Sequence, residues 1–153
     1  GVFTPDPAAA IEVLPAKDGS WPEATPRDRG GRFKGYRLDE KGRPTFTWVL
    51  AGLTVSESIG PAAAEGGRPV VRRTLSVTGT PREGVAVLRA AVAGRIDEEP
   101  GGWWRIDGNW RVRLGGALTP PVVTEAGGGR KQLRAAVRLG GKEAATILED
   151  LSW

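Results

Sequence analysis

Residues 44–59 read Pro44-Thr45-Phe46-Thr47-Trp48-Val49-Leu50-Ala51-Gly52-Leu53-Thr54-Val55-Ser56-Glu57-Ser58-Ile59. Phe46, Trp48 and Leu50 fall on one phase of a two-residue period, with Thr45 and Thr47 on the other. After Gly52 the alternation resumes, with Leu53, Val55 and Ile59 against Thr54, Ser56 and Ser58. Strict alternation of this kind is the signature of half-buried strands. Pro44 is compatible with this, because proline is tolerated as a strand's first residue. With Phe33 to Leu38 before it, across a turn at Asp39 to Arg43, the region predicts a three-stranded antiparallel meander.

The same reading extends outward. Residues 60–69 are a Gly/Ala/Pro loop, and Val70 to Thr78 is the next strand, with Leu75 and Val77 inward. Val85 to Val92 is apolar on both phases apart from Arg89, which predicts a central position in a sheet. Trp103 to Asp107 and Trp110 to Leu114 form a hairpin across Gly108-Asn109. Leu133, Ala135, Val137 and Leu139 alternate with Arg134, Ala136 and Arg138. The run Ala144 to Trp153 has helix-compatible composition at its start, but β-branched Thr146-Ile147 and strand neighbours favour a strand. Before all of these, residues 1–31 carry prolines at 5, 7, 15, 22 and 26, which break any helix. They predict an extended arm or an irregular cover on a sheet. The expectation is an all-β chain: an antiparallel β-sandwich, or open barrel, of about nine short strands over 32–153, preceded by the arm at 1–31.

Composition agrees with one folded domain. The chain has 153 residues, 39% hydrophobic and 26% charged, with 23 Gly and 12 Pro scattered between the apolar runs as turns. Its net charge of +4 favours anionic partners, although arginines spread along the chain over solvated strand faces and interleaved with Asp and Glu account for it better. There is no apolar run of about 18 residues to span a membrane as a helix. The start, Gly1-Val2-Phe3-Thr4-Pro5, reads as that of a mature or excised segment.

The chain contains no His and no Cys or Met. It therefore supplies no imidazole base, thiolate nucleophile or haem attachment motif. Carboxylate catalysis is the remaining enzymatic option, but most acids sit in predicted turns. Glu57 is the exception, on the apolar phase of its strand. An ion pair with Arg73, also on an apolar phase, explains it better than catalysis does. Asp97-Glu98-Glu99 and Glu149-Asp150 lack the spacing of a calcium loop.

Six tryptophans are the more informative set. Exposed tryptophans stack on sugars or anchor partners. Trp48 and Trp110 are in phase with core residues. Trp103 and Trp104 are consecutive, so they point to opposite faces and one is a candidate for exposure. Trp21, Tyr36, Trp103, Trp104 and Trp153, with Arg105, Arg111 and Arg113, are the candidate interface or ligand residues. The arginines on adjacent strands could also form a nucleic-acid stripe, but no nucleic-acid motif accompanies them.

The segments Phe33-Lys34-Gly35-Tyr36-Arg37-Leu38-Asp39, Gly42-Arg43-Pro44-Thr45-Phe46 and Leu53-Thr54-Val55-Ser56-Glu57 resemble part of large secreted c-type cytochromes of planctomycetes and verrucomicrobia, which are often joined to sugar dehydrogenase-like domains. Arg72-Arg73-Thr74-Leu75, Trp104-Arg105-Ile106-Asp107-Gly108 and Ile147 to Trp153 extend the resemblance over roughly 20–153. It implies a periplasmic or secreted accessory domain beside a haem-bearing partner or a missing haem-bearing part. No catalytic, cofactor or metal residue transfers to this chain. The expected function is thus a non-catalytic docking module of an electron-transfer assembly. A carbohydrate-binding module using Trp103 or Trp104, and a carboxylate-dependent hydrolase, are the alternatives.

Overall fold

The structure, a computed structural model, describes residues 10–153. Among these residues it contains twelve strands: β1 (Ile11–Leu14), β2 (Arg32–Leu38), β3 (Pro44–Leu50), β4 (Leu53–Glu65), β5 (Arg68–Gly79), β6 (Val85–Ala93), β7 (Ile96–Glu98), β8 (Trp103–Ile106), β9 (Trp110–Gly116), β10 (Val122–Gly127), β11 (Arg130–Ala136) and β12 (Ala145–Ser152). They form an eight-stranded sheet, β2-β3-β4-β5-β12-β9-β8-β7, and a four-stranded sheet, β1-β6-β11-β10. Every pairing is antiparallel. The expected sandwich is present, and neither sheet closes into a barrel.

The expected meander is β2-β3-β4, and its second turn shows why the sequence folds there. Leu50 pairs with Leu53, leaving Ala51-Gly52 as a two-residue loop. Both loop residues have positive φ, 47° and 88°. A two-residue hairpin loop needs that left-handed backbone to match strand twist. A side chain on Gly52 would also run into the Thr80 carbonyl oxygen. Gly52→Ala is therefore expected to lower the stability by about 2 kcal/mol, whereas Ala51→Gly leaves the urea midpoint unchanged or raises it. Equal losses in the two variants would show that the turn geometry does not matter.

Four elements depart from expectation: residues 60–69, β1, β7 and β10. Residues 60–69 are not a loop. β4 and β5 continue through Pro61↔Val71 and Ala62↔Val70 to a tip closed by Gly66-Gly67. Both glycines have positive φ, so two residues suffice for the turn. β7, β1 and β10 raise the count from about nine to twelve, because short or Gly-flanked strands show little periodicity. Ile11–Leu14, inside the segment expected as an arm, is β1. It pairs with β6 and is fully buried. The first nine residues of that segment, including Pro5 and Pro7, lie outside the described residues.

Residues 15–31 do cover a sheet irregularly, on the outer face of the smaller one. Arg29 forms an ion pair with Glu12. Arg134 donates to the Gly19 carbonyl oxygen at 2.6 Å. The guanidinium carbons of Arg89 and Arg134 lie 4.4 and 5.3 Å from the Trp21 ring centroid. Burial and the charge of Arg134 push the Arg89 pKa down to about 10.

The core lies between the sheets in two clusters. One joins Ile11, Val13 and Leu88 to Leu53, Val55, Leu75, Val77 and Ile147. The other joins Ala90, Ala91 and Leu133 to Ile96, Ile106, Trp110, Val112 and Leu151. Both stop at β4. The smaller sheet has four strands against eight, so it cannot cover the whole inner face of the larger one.

Candidate functional site

The consequence appears at the β2-β3 end of the large sheet. Cross-strand partners share a face, so the inward phase runs Tyr36↔Phe46↔Glu57↔Leu75 and Phe33↔Trp48↔Val55↔Val77. Leu75 and Val77 are buried, but Phe33 and Tyr36 are 55% and 65% exposed, and Leu38 is 61% exposed. Trp48 has the core phase that its alternation implies, yet it is only partly buried, because among the described residues no strand of the smaller sheet lies over it. The four rings pack on one another, with centroids 5.4–6.5 Å apart and planes tilted by 42–53°. A shallow recess of about 540 Å³ opens beside them, lined by Pro26, Arg27, Phe33 and Trp48.

The charge of the chain is concentrated at the same place. Residues 27–43 carry seven Lys and Arg against Asp28, Asp39 and Glu40, a net of +4. This equals the net charge of the entire chain, so the remaining residues sum to zero. Arg32, Lys34 and Arg37 are exposed along β2. β2 is an edge strand, but its register shifts between Phe33 and Gly35, where φ reaches 126°. Charged residues and a bulge discourage the addition of another strand. The hairpin offers its aromatic face, rimmed by cations, rather than its backbone edge.

A second cluster lies on the outer face of the large sheet. Trp103 pairs with Arg113, and Arg113 with Asp150. Arg113 donates to both Glu65 oxygens at 3.1 and 2.6 Å and to Asp150 at 3.0 Å. Arg72 makes a bidentate contact with Asp150 at 2.8 and 3.0 Å, and Arg105 one with Glu99 at 2.7 and 3.2 Å. These donors hold the Glu65, Glu99 and Asp150 carboxyls below the usual carboxylate range. Trp103 is only 3% exposed. The guanidinium carbons of Arg111 and Arg113 sit 4.3 and 4.4 Å from its ring centroid. Its ring faces are therefore occupied, which corrects its expected role as a sugar-stacking platform. Trp104 points to the opposite face as expected, where it packs against the core and is partly buried.

The third cluster is internal. Arg73 of β5 lies between Glu57 of β4 and Glu149 of β12, at 3.5 and 3.2 Å, all three side chains at most 3% exposed. The Glu57–Arg73 pair follows the alternation of the sequence. Glu149 was not foreseen, since it reads as a solvated carboxylate near the C-terminus. Burial pushes its pKa up to about 7, against the opposing pull of Arg73.

The candidate residues are thus divided among several places. Trp103, Arg105, Arg111 and Arg113 come together. Tyr36 belongs to the aromatic edge, Trp21 to the smaller sheet's outer face, and Trp153 is exposed after β12. Phe33, Phe46, Trp48 and Glu65 were missed, and Asp150, weighed only for calcium, belongs to the arginine cluster. The density of aromatics and cations in 27–48 was the available signal for the first three. Of the calcium candidates, Asp97 pairs with Arg95, Glu99 with Arg105, and Asp150 with Arg72 and Arg113. No group of three or more His, Cys, Asp or Glu among the described residues could hold a metal ion. No helix among them is long and apolar enough to cross a membrane.

No family model matches this chain. Searches of curated proteins and of solved structures also return no match.

Proposed function

We propose that the chain is a non-catalytic docking module that presents the aromatic edge of its large sheet to an acidic face of a partner protein. The observation that carries this reading is the coincidence of uncovered core-phase aromatics with the net charge of +4 over residues 27–43, at the same end of the sheet. A contiguous exposed apolar patch with a polar rim is the usual form of an interaction surface. The aromatic anchors supply affinity, and the cationic rim supplies steering and orientation. The resemblance to secreted c-type cytochromes is carried in part by this same hairpin. It supports a haem-bearing partner in a periplasmic or secreted electron-transfer assembly.

Glycan binding is less well supported by the same rings. Sugar stacking needs free, accessible ring faces, whereas these rings are tilted into one another.

The test is co-purification from native extract, reading haem absorbance in the fractions that contain the chain. The wild-type chain is expected to elute with a haem-bearing protein. Phe33→Ser/Tyr36→Ser, which removes two exposed rings, is expected to weaken that association at least ~tenfold. Arg32→Gln/Lys34→Gln/Arg37→Gln should slow association and flatten its salt dependence. Elution of the wild-type chain alone, or saturable glycan binding lost with the ring variant, would overturn the proposal.

A further inference from the structure

On the opposite face of the large sheet, the Trp103 cluster has a surplus of cations. Five guanidiniums (Arg68, Arg72, Arg105, Arg111 and Arg113) surround three carboxylates (Glu65, Glu99 and Asp150), leaving two positive charges uncompensated. The surplus resides on specific residues. Arg72, Arg105 and Arg113 each hold a carboxylate. Arg111 and Arg68 have no carboxylate within ion-pair distance among the described residues.

Arg111 is not a freely solvated arginine. It is partly buried and rests against Trp103 at 4.3 Å. Its Nε is buried without a hydrogen-bond partner. A guanidinium held against an aromatic ring has lost much of its freedom already, so less ordering remains when it grips an anion. Arg105, directly opposite it on β8, is also cationic but is neutralised by Glu99.

The geometry then provides space. The tip of the β4-β5 hairpin and the β8-β9 hairpin border an open groove of about 430 Å³, lined by Arg68, Arg111, Arg113 and Trp103, by Glu65, whose carboxylate Arg113 holds, and by Gly66, Pro100 and Gly101. Arg113 is fixed between Glu65 and Asp150 and lies over the Trp103 ring. The floor is therefore rigid, and Arg68 and Arg111 remain available above it.

We propose that this groove is an oxyanion site for a phosphate or sulfate ester, with Arg111 and Arg68 gripping the anion and Trp103 positioning Arg111. A phosphate monoester, close to a dianion at neutral pH, matches the surplus of two charges, whereas a sulfate ester, a monoanion, neutralises one of them. Planar guanidinium forks suit tetrahedral oxyanions, which they bind through paired N–H donors. The volume exceeds that of a bare anion, so the remainder accommodates the group that bears it.

Calorimetric titration of the full chain tests the site, with inorganic phosphate, glucose 6-phosphate and glucose 6-sulfate as probes at constant ionic strength. Saturable binding of at least one ester is expected, and the preferred ester identifies the source of the anion. Arg111→Gln and Arg68→Gln should each weaken it by about tenfold or more. Arg111→Lys should not restore binding, because an ammonium lacks the stacked planar fork. Arg95→Gln, on an exposed arginine paired elsewhere, should leave it unchanged. All of these substitutions are at partly or fully exposed residues, and a urea midpoint for each confirms folding. Absence of saturable binding, or binding that Arg111→Gln leaves intact, would sink the proposal.

Discussion

Arg73→Leu is expected to destabilise the protein by about 3–5 kcal/mol at pH 7, and to lose much of that penalty by pH 4.5. The side chain is 1% exposed and is the cation between Glu57 and Glu149. Leucine fills part of its volume, so packing is not the main loss. What remains is two carboxylates close together in the core without their counter-charge. Each must then bind a proton to stay buried, and that costs more the further the pH lies above the ordinary carboxylate range. With native stabilities of about 5–15 kcal/mol, a loss of this size brings the protein near unfolding at neutral pH. Urea midpoints measured from pH 4.5 to 8 decide the matter. A penalty independent of pH would mean that Arg73 acts through packing alone. Replacing all three residues with Leu should recover most of the stability, since an apolar cluster carries no uncompensated charge.

The second expectation concerns the wild-type protein and Glu149→Gln. The Glu149 carboxyl sits at about 7 in the folded state, above its ordinary value of 4.5. Its raised pKa means that the folded state holds a proton that the unfolded state releases. The associated stability is complete below about pH 4.5 and is lost as the pH rises to about 7. The separation corresponds to about 3 kcal/mol. Arg73, Glu57 and Leu114 are its neighbours from the adjoining strands; Arg73 opposes the shift, but burial together with the charge of Glu57 outweighs it. Below about pH 4 the sign reverses. Asp150, held low by Arg72 and then by Arg113, takes up a proton and weakens those contacts. Stability should therefore peak near pH 4.5. Glu149→Gln keeps an acceptor for Arg73 and removes the charge, so its stability should match the wild type near pH 4.5 and exceed it at pH 8. A flat wild-type profile between pH 4.5 and 7.5 would contradict the assignment.

Both expectations rest on a cluster that the sequence showed only in part. Glu57 and Arg73 stand out because each interrupts an apolar phase within its own strand. Glu149 does not, because Glu149-Asp150 reads as an ordinary acidic pair. β12 pairs with both β5 and β9, and that central position turns one of the two acids into the core and the other onto the outer face. The outer cluster has the same origin. Arg113 meets Glu65 across 48 positions and Asp150 across 37, and alternation along a strand contains no information about such distant partners.

Alternation along each strand by itself determined the all-β class, the first meander, the β8-β9 hairpin, the strand character of residues 145–152 and the inward phase of Phe46, Trp48 and Glu57. Those are consequences of a two-residue period and of glycine at left-handed turns, both local. Only the tertiary structure decided which inward residues are covered. Eight strands face four, so the phase that buries Leu75 and Val77 leaves Phe33 and Tyr36 in solvent, and the order of strands places Trp103 beneath arginines instead of at the surface. Burial depends on what lies opposite a residue, and that is set by sheet size and strand order rather than by the residue's own neighbours in the chain.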